Sequence, residues 1–267
     1  MMTLLLAAIL LQDPVPTDKE GEAAAHRLRE EAGRSSIEGK IAALQEALKT
    51  EHEKVIKVVA EMMLTEADSV RIAGAAALAQ VDHPASAEAL AAAIAPNLHR
   101  EEVMAAIFKA IGELGWQSPA GRINELVPKV GEVDVRAVLP DAVKALGMLG
   151  SLSSVDPLID LLMKLENGGR RNPWPNEGAL RRSSEDALRN ITGMDFHKVA
   201  EWESWWRGNQ ELVRTRLTRT FWIRKTQDRV DIAPIEKVPA DSLLVASRMH
   251  TAAAPGAAPG KKKKKKS

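Results

Sequence analysis

The 267-residue chain contains no cysteine. This absence excludes disulfides, Cys-ligated zinc, thiol catalysis and lipid attachment at an N-terminal cysteine. It leaves the cellular compartment open, because many exported proteins also lack cysteine.

Aromatic residues are scarce as well: they make up 3% of the chain, and tyrosine is absent. Alanine is abundant instead, and because it is the best helix former, the composition favours closely packed helices over sheets. No run of 18 or more apolar residues occurs, which excludes a membrane-spanning helix of ordinary length. The sequence therefore predicts an all-α fold with no membrane span.

Catalytic motifs are missing too: the chain has no Gly-rich phosphate loop, no H-E-x-x-H and no G-x-S-x-G. His197 and Glu201 could share a helix face, as metal ligands do, but two ligands without a third favour a surface pair. The triplet Asn190-Ile191-Thr192 matches a glycosylation acceptor, although such triplets often arise by chance. We therefore predict no catalytic, cofactor-binding or metal-binding residues, and a protein that is not an enzyme.

One helical phrase recurs along the chain. Its equivalent apolar anchors are Val70, Val103, Val138 and Leu180, and their spacings of 33, 35 and 42 residues lie in the range of helical repeat arrays. Such a unit cannot bury its apolar face alone, so the repeats must stack, and a stacked array presents an extended binding surface. An Ala-aliphatic pair recurs in step with the anchors, at Ala77-Leu78, Ala110-Ile111, Ala145-Leu146 and Ala187-Leu188.

Apolar spacing and turn residues divide the chain into helices joined by short polar connections. The first two helices are expected at residues 19–32 and 37–49. Short connections make neighbouring helices antiparallel, so we predict four full helical hairpins with a half-repeat before them. The four pairs are expected at 52–64 with 68–81, 84–95 with 100–114, 119–130 with 135–149, and 153–166 with 178–192.

The first full repeat resembles a HEAT repeat. Its sequence DSVRIAGAAALAQVDHP, with Asp68, Val70, Arg71, Ala77 and Leu78, is similar to the second helix of that repeat, in the short variety shared with phycobilisome-lyase-type repeat proteins. The resemblance covers about residues 37–193, which we take as the repeat array.

The later repeats match this pattern less well, since Met104 and Leu139 replace the arginine that Arg181 restores. The resemblance implies a right-handed α-solenoid of antiparallel helix pairs, an armadillo-like helical fold, with the second helices lining the concave side. It implies no particular reaction, because folds of this kind host unrelated functions.

Two segments depart from the repeat. In the loop ENGGRRNPWPNEG (166–178), Trp174 either folds back over the array, the interpretation we favour, or binds a ligand. The stretch with Trp202, Trp205, Trp206 and Asn209 resembles the W-x-x-W-W-x-x-N ending of many bacterial HEAT-repeat proteins. We predict a Trp-rich capping helix at 194–210 that closes the open side of the last repeat; an aromatic ligand cage is the alternative.

The N-terminus, MMTLLLAAILL, has uncharged and mostly apolar residues at positions 3–11, and a polar spacer with prolines follows. This pattern is typical of a short secretory signal, although it lacks an N-terminal Lys or Arg and a clean A-x-A site. We predict a signal peptide at 1–12, a linker and N-terminal helix at 13–36, and a periplasmic or secreted protein. The alternatives are an apolar start that is disordered or docked on the core, and a cytoplasmic protein.

Charge is distributed unevenly along the chain. Residues 1–206 carry 22 Lys+Arg against 31 Asp+Glu, whereas residues 207–267 carry 15 against 5. We predict a basic extension at 211–238 and a low-complexity, disordered linker and tail at 239–267. The tail contains the run Lys261–Lys266, which can contact a polyanion or an anionic membrane surface, or simply add solubility.

These features predict a non-enzymatic scaffold that binds a protein partner on its concave face, while the basic tail adds electrostatic binding to an acidic partner or surface. Arg71, Arg136 and Arg181 are candidate inner-face contacts, although such arginines also pair with acids of neighbouring repeats. The alternatives are a nucleic-acid-binding protein that uses the basic C-terminal region and, by family resemblance, a lyase-type enzyme.

Overall fold

A computed structural model describes residues 16–168 and 176–225. All regular secondary structure in these two ranges is helical, which confirms the predicted all-α class. The predicted signal at 1–12, Trp174 and the lysine run at 261–266 lie outside the described residues.

The described ranges form eleven α-helices with two short 3-10 turns, at Val127–Lys129 and Leu152–Ser154. The helices are α1 (Asp18–Arg34), α2 (Ile37–Leu48), α3 (Glu53–Thr65), α4 (Asp68–Leu78), α5 (Pro84–Asn97), α6 (Glu101–Leu114), α7 (Ala120–Asn124), α8 (Val133–Leu149), α9 (Val155–Gly168), α10 (Glu177–Thr192) and α11 (Val199–Lys225).

Consecutive helices pack as five pairs: α1 with α2, α3 with α4, α5 with α6, α7 with α8, and α9 with α10. The second helices also pack on one another in chain order, α2 on α4, α4 on α6, α6 on α8 and α8 on α10. The first helices follow the same order, with the 3-10 turn after α7 making the contact to α9, and α11 packs on α9. The molecule thus has a first-helix layer and a second-helix layer with a shared core.

The helix α1 belongs to this packed array, where the sequence suggested only a half-repeat before the first full pair. Ala24, Ala25 and Leu28 are buried at helical spacing and face α2 and α3. The helix begins with a capping box, because Thr17 Oγ1 accepts from the Glu20 N–H while Glu20 Oε2 accepts from the Thr17 N–H at 2.8 Å. The Thr17 hydroxyl also donates to Glu20 Oε2, and the backbone N–H and the hydroxyl of Thr17 together hold the pKa of the Glu20 carboxyl below its usual value.

The helix predicted at 119–130 is broken in the structure. The helix α7 ends at Asn124, and only a 3-10 turn follows. Pro128 is the reason, because it has no N–H to donate to the carbonyl of Asn124, four residues earlier. The other predicted pair members form within a few residues of their expected bounds.

The second-helix layer is closely packed where α8 meets α10. A Cβ atom added at Gly147 would lie 2.8 Å from Ala187 Cα, so the two backbones approach to a distance that only glycine permits. At their C-terminal ends, α6, α8 and α10 each stop at a glycine with positive φ, which is the usual left-handed C-cap. The last three second helices therefore share their end geometry, whereas α4 ends at Ala79 in the right-handed region.

Candidate functional site

Among the described residues, the second-helix layer has one side that neither the first layer nor a neighbouring helix covers. The anchors Val70, Val103, Val138 and Leu180 are all buried. Residues six and ten positions after each anchor are exposed in all four repeats, and those three positions after it are half-buried. We call these positions the second-layer stripe: Ala73 and Ala76 on α4 with Gln80 in the turn just after it; Ala106, Lys109 and Glu113 on α6; Asp141, Lys144 and Met148 on α8; Ser183, Asp186 and Asn190 on α10.

The stripe changes in chemistry along the array. Its α4 part is small and uncharged, whereas α6 and α8 carry ion pairs, with Lys109 Nζ 3.8 Å from Glu113 Oε1 and Lys144 Nζ 2.9 Å from Asp141 Oδ1. Both lysine side chains are more than 60% exposed, so these pairs contribute little to stability. Met148 is 54% exposed. An apolar side chain beside solvated charges is suited to a protein contact.

At the α10 end, Arg189 connects the stripe to the turn that follows. Its guanidinium donates to Asp195 Oδ1 at 2.8 Å and to Asp186 Oδ1 at 2.6 Å. Asp195 first, and then Asp186, raises the pKa of Arg189 above its ordinary value. The stripe residue Asp186 is therefore held in place by an arginine that stays charged.

Arg71, a candidate inner-face contact, is only 7% exposed and has a structural role. Its Nε donates to the Glu66 carbonyl at 2.6 Å and one terminal nitrogen donates to Asn97 Oδ1 at 2.7 Å. Asn97 Nδ2 in turn donates to the carbonyls of Met63 and Ala93. This buried network ties the turn between α3 and α4 to α5.

The other two candidate arginines are half-buried rather than openly displayed. Arg136 donates from a terminal nitrogen to the Gly131 carbonyl at 3.0 Å, close to the start of its own helix. Arg181 lies in the first turns of α10 beside the anchor Leu180. None of the three arginines belongs to the second-layer stripe.

Several polar side chains join one repeat to the next. The residues that they connect are 32–34 positions apart, which is the spacing of the sequence repeat. These bonds are Asn97 Nδ2 to the Met63 carbonyl, Trp116 Nε1 to Asp82 Oδ1, and Gln117 Nε2 to the Leu149 carbonyl. Sequence reasoning did not identify them, because each partner alone resembles an ordinary surface residue.

The Trp-rich stretch is part of the core. Trp202 and Trp206 are 1% and 3% exposed, and Phe196 packs edge-on against Trp202 with ring centroids 5.0 Å apart. Trp206 Nε1 donates to Asp156 Oδ1 at the start of α9, at 2.6 Å. Because two of the three tryptophans are buried, the described residues form no open aromatic cage. The backbone stays helical through Lys225, past the predicted boundary at 210.

The remaining candidate residues have local roles. Glu201 Oε2 accepts from the backbone N–H groups of His197 and Lys198 at 3.3 Å, so this carboxylate caps the start of α11. Asn190 is exposed on α10, while Thr192 is buried and donates to the Leu188 carbonyl. Within the described ranges, no group of three or more metal-ligating side chains is placed to hold an ion.

A shallow groove of about 350 Å³ lies between α1 and α2. Its floor includes Ala24, Leu28, Ala43 and Ala47, and its rim is charged. Lys49 and Glu46 pair with each other on that rim, so part of the charge is already neutralised. The groove lies at the N-terminal end of the array, far along the stack from the Trp-rich helix.

Among the helices that the structure describes, none is both long and apolar enough to cross a membrane. No family model matches the chain, and a search of curated proteins finds no significantly similar sequence.

Proposed function

We propose that this chain is a scaffold of the HEAT-repeat kind, a right-handed α-solenoid that binds a protein partner along the second-layer stripe. The HEAT resemblance implies that second helices line the inner surface of the solenoid, so we propose that the stripe lies on the concave side. The scaffold has no enzymatic activity of its own.

The observation that carries the proposal is the register of exposed positions across the second helices of four successive repeats, α4, α6, α8 and α10. Helices pack about 8–10 Å apart, so four of them extend the stripe over about 30 Å. That length matches a partner helix of about 20 residues. A continuous surface of this length, with exposed charges and one exposed Met, suits an extended or helical segment of a partner better than a compact small molecule.

Partner capture by matched variants tests the proposal. The stripe variant carries Lys109→Glu and Lys144→Glu, and the control carries Lys57→Glu and Lys129→Glu on the first-helix side. All four lysines are exposed. Each variant replaces two lysines by glutamates, so the two variants change the net charge equally. We expect a protein that is enriched by the unaltered chain to be lost with the stripe variant and retained with the control. Equal retention by both variants would place the binding site elsewhere.

We also propose that the protein is exported after removal of residues 1–12. Mass spectrometry of the mature N-terminus tests this directly, since retention of Met1 in a cytoplasmic fraction contradicts it. The basic tail would then attach the scaffold to acidic material outside the cytoplasm.

The nucleic-acid-binding and lyase-type alternatives remain predictions. Salt-sensitive binding to duplex DNA that disappears on removal of Lys261–Lys266 would favour the first. A bound tetrapyrrole would favour the second.

A further inference from the structure

Met148 is the one large apolar side chain of the second-layer stripe, and it is 54% exposed. At the equivalent position, ten residues after the anchor, the other three repeats have polar side chains: Gln80, Glu113 and Asn190. Stacking of the helices therefore does not require an apolar residue at this position. The exposed thioether is a property of this one repeat.

The thioether of Met148 lies across the neighbouring second helix. A Cβ atom added at Gly112 of α6 would be 2.6 Å from Met148 Sδ and 3.1 Å from Met148 Cε, so the sulfur occupies the space that a side chain at position 112 would fill. One side of the thioether is thus placed against α6, while more than half of the residue is in contact with solvent. The sulfur lies at the junction of α6 and α8, inside the stripe.

The other methionines of the described ranges are better shielded than Met148. Three are at most 4% exposed and two are half-buried: Met62, Met63 and Met104, and Met163 and Met194. A dissolved oxidant reaches a buried thioether only when the protein opens locally, so exposure sets the order of reaction. Within the part of the chain that the structure describes, Met148 is therefore the thioether that such an oxidant attacks first.

We infer that Met148 is a modification site: hydrogen peroxide oxidises its thioether to the sulfoxide, and this change releases the protein partner from the stripe. In the reaction the sulfur attacks one peroxide oxygen, the O–O bond breaks and an S–O bond forms. The proton of the transferred hydroxyl passes to the departing hydroxide, which leaves as water. The sulfur loses two electrons and the peroxide gains them.

The sulfoxide replaces a flexible apolar side chain, which is well suited to a protein contact, by a polar one. A partner that covers position 148 must then desolvate the S–O group, which costs free energy unless a donor is placed to bond it. The fold itself loses little, because most of Met148 is already in water. The release from the stripe rests on the proposed function, whereas the oxidation site does not.

Peptide mass spectrometry of the full-length chain after brief exposure to hydrogen peroxide tests the oxidation site. The initial rate of sulfoxide formation is compared between Met148 and the buried Met104. We expect Met148 to react at least about tenfold faster, because a buried thioether reacts only in the small fraction of molecules that are locally open. A rate at Met148 that is equal to or below the rate at Met104 would overturn the inference.

Partner capture with matched variants tests the release. Met148→Leu keeps an apolar side chain but has no sulfur, and the control, Met163→Leu, removes a half-buried thioether of α9. The peroxide is removed before the chain meets its probe, which is the protein that the untreated chain enriches and the stripe variant loses. We expect treatment to weaken capture about tenfold for the unaltered chain and for Met163→Leu, but to leave Met148→Leu within about twofold. Met148→Gln, which is polar without oxidation, should bind weakly from the start.

Undiminished capture by the oxidised unaltered chain would overturn the release, and so would an equal loss of capture by Met148→Leu. Thermal unfolding by circular dichroism must be the same before and after treatment; a drop in Tm that requires Met148 would make the effect one of stability and would also contradict the inference. The proposed function fails separately, when the untreated chain enriches no protein that depends on the stripe. The rate comparison between Met148 and Met104 then still decides the oxidation site.

Discussion

Replacing Gly147 by Ala tests how closely the second-helix layer is packed. The new Cβ would lie 2.8 Å from Ala187 Cα and 3.0 Å from Ala187 Cβ. Carbon atoms in good contact are about 3.5–4.0 Å apart, so α8 and α10 would have to separate by roughly 1 Å. A rotamer change cannot relieve the clash, because the nearer atom belongs to the backbone. Overpacking of this kind costs about 1–3 kcal/mol.

The intrinsic helix preference acts in the opposite direction, since alanine is favoured over glycine by about 1 kcal/mol. We therefore expect no net gain and a loss of up to about 2 kcal/mol of unfolding free energy, or up to a few degrees in Tm for a domain of this size. Urea unfolding followed by circular dichroism measures it. Gly33→Ala on α1 is the matched control, because no heavy atom lies within 4 Å of its added Cβ and stability should rise by up to about 1 kcal/mol.

If Gly147→Ala gains stability as Gly33→Ala does, the close approach of α8 and α10 is wrong. A second substitution, Ala187→Gly, should restore stability only in part. It removes the Cβ–Cβ contact but leaves the shorter contact with the Ala187 backbone.

Three further substitutions address the cap, the buried network and the N-terminal helix. Trp206→Phe keeps an aromatic ring but removes the bond to Asp156 Oδ1, so we expect a loss of about 1.5–3 kcal/mol in chemical unfolding. Arg71→Met keeps an apolar stem and leaves Asn97 Oδ1 without this donor, so thermal unfolding should show a loss of about 1–3 kcal/mol. Glu20→Gln should lower Tm at neutral pH but not in acid. The folded-state pKa of Glu20 is depressed, so its contribution is present above the unfolded pKa and is lost as pH falls through the folded one. A Tm difference that persists in acid would refute this linkage.

The apolar periodicity was sufficient to predict the helical class and most helix positions. It worked because anchors such as Val70 and Val103 must be buried wherever helical pairs stack, whatever their surroundings. It failed at residues 119–130. The apolar spacing there continues to follow the helical period, but Pro128 lacks the backbone N–H that the helix needs, and the α-helix ends at Asn124. It also missed that α1 is a packed member of the array. The buried residues Ala24 and Ala25 are small, so they give only a weak apolar signal in a charged helix.

The candidate site was harder to predict because exposure depends on neighbours that a sequence does not show. Arg71 is charged and lies on a second helix, so it resembled a surface contact, yet the carbonyl of Glu66 and the side chain of Asn97 hold it in the core. Lys109 and Lys144 belong to no sequence motif. They stand out only in the structure, where both occupy the same exposed position on α6 and α8. The Trp-rich stretch was visible in the sequence, but the burial of Trp202 and Trp206 depends on the last repeat packing against them, as the bond from Trp206 to Asp156 of α9 shows.

The central claim is that the stripe runs stepwise across stacked helices. Because the chain has no cysteine, pairs of introduced cysteines can carry spin labels at unique positions, and the distance within each pair tests this claim. One pair is placed at Ala76→Cys and Lys109→Cys on neighbouring helices, the other at Ala76→Cys and Asp186→Cys, three helices apart; all three positions are exposed. Helix spacings of about 8–10 Å predict about 10 Å for the first pair and about 24–30 Å for the second. A second distance no longer than the first would mean that the helices close into a bundle, and it would contradict the stripe.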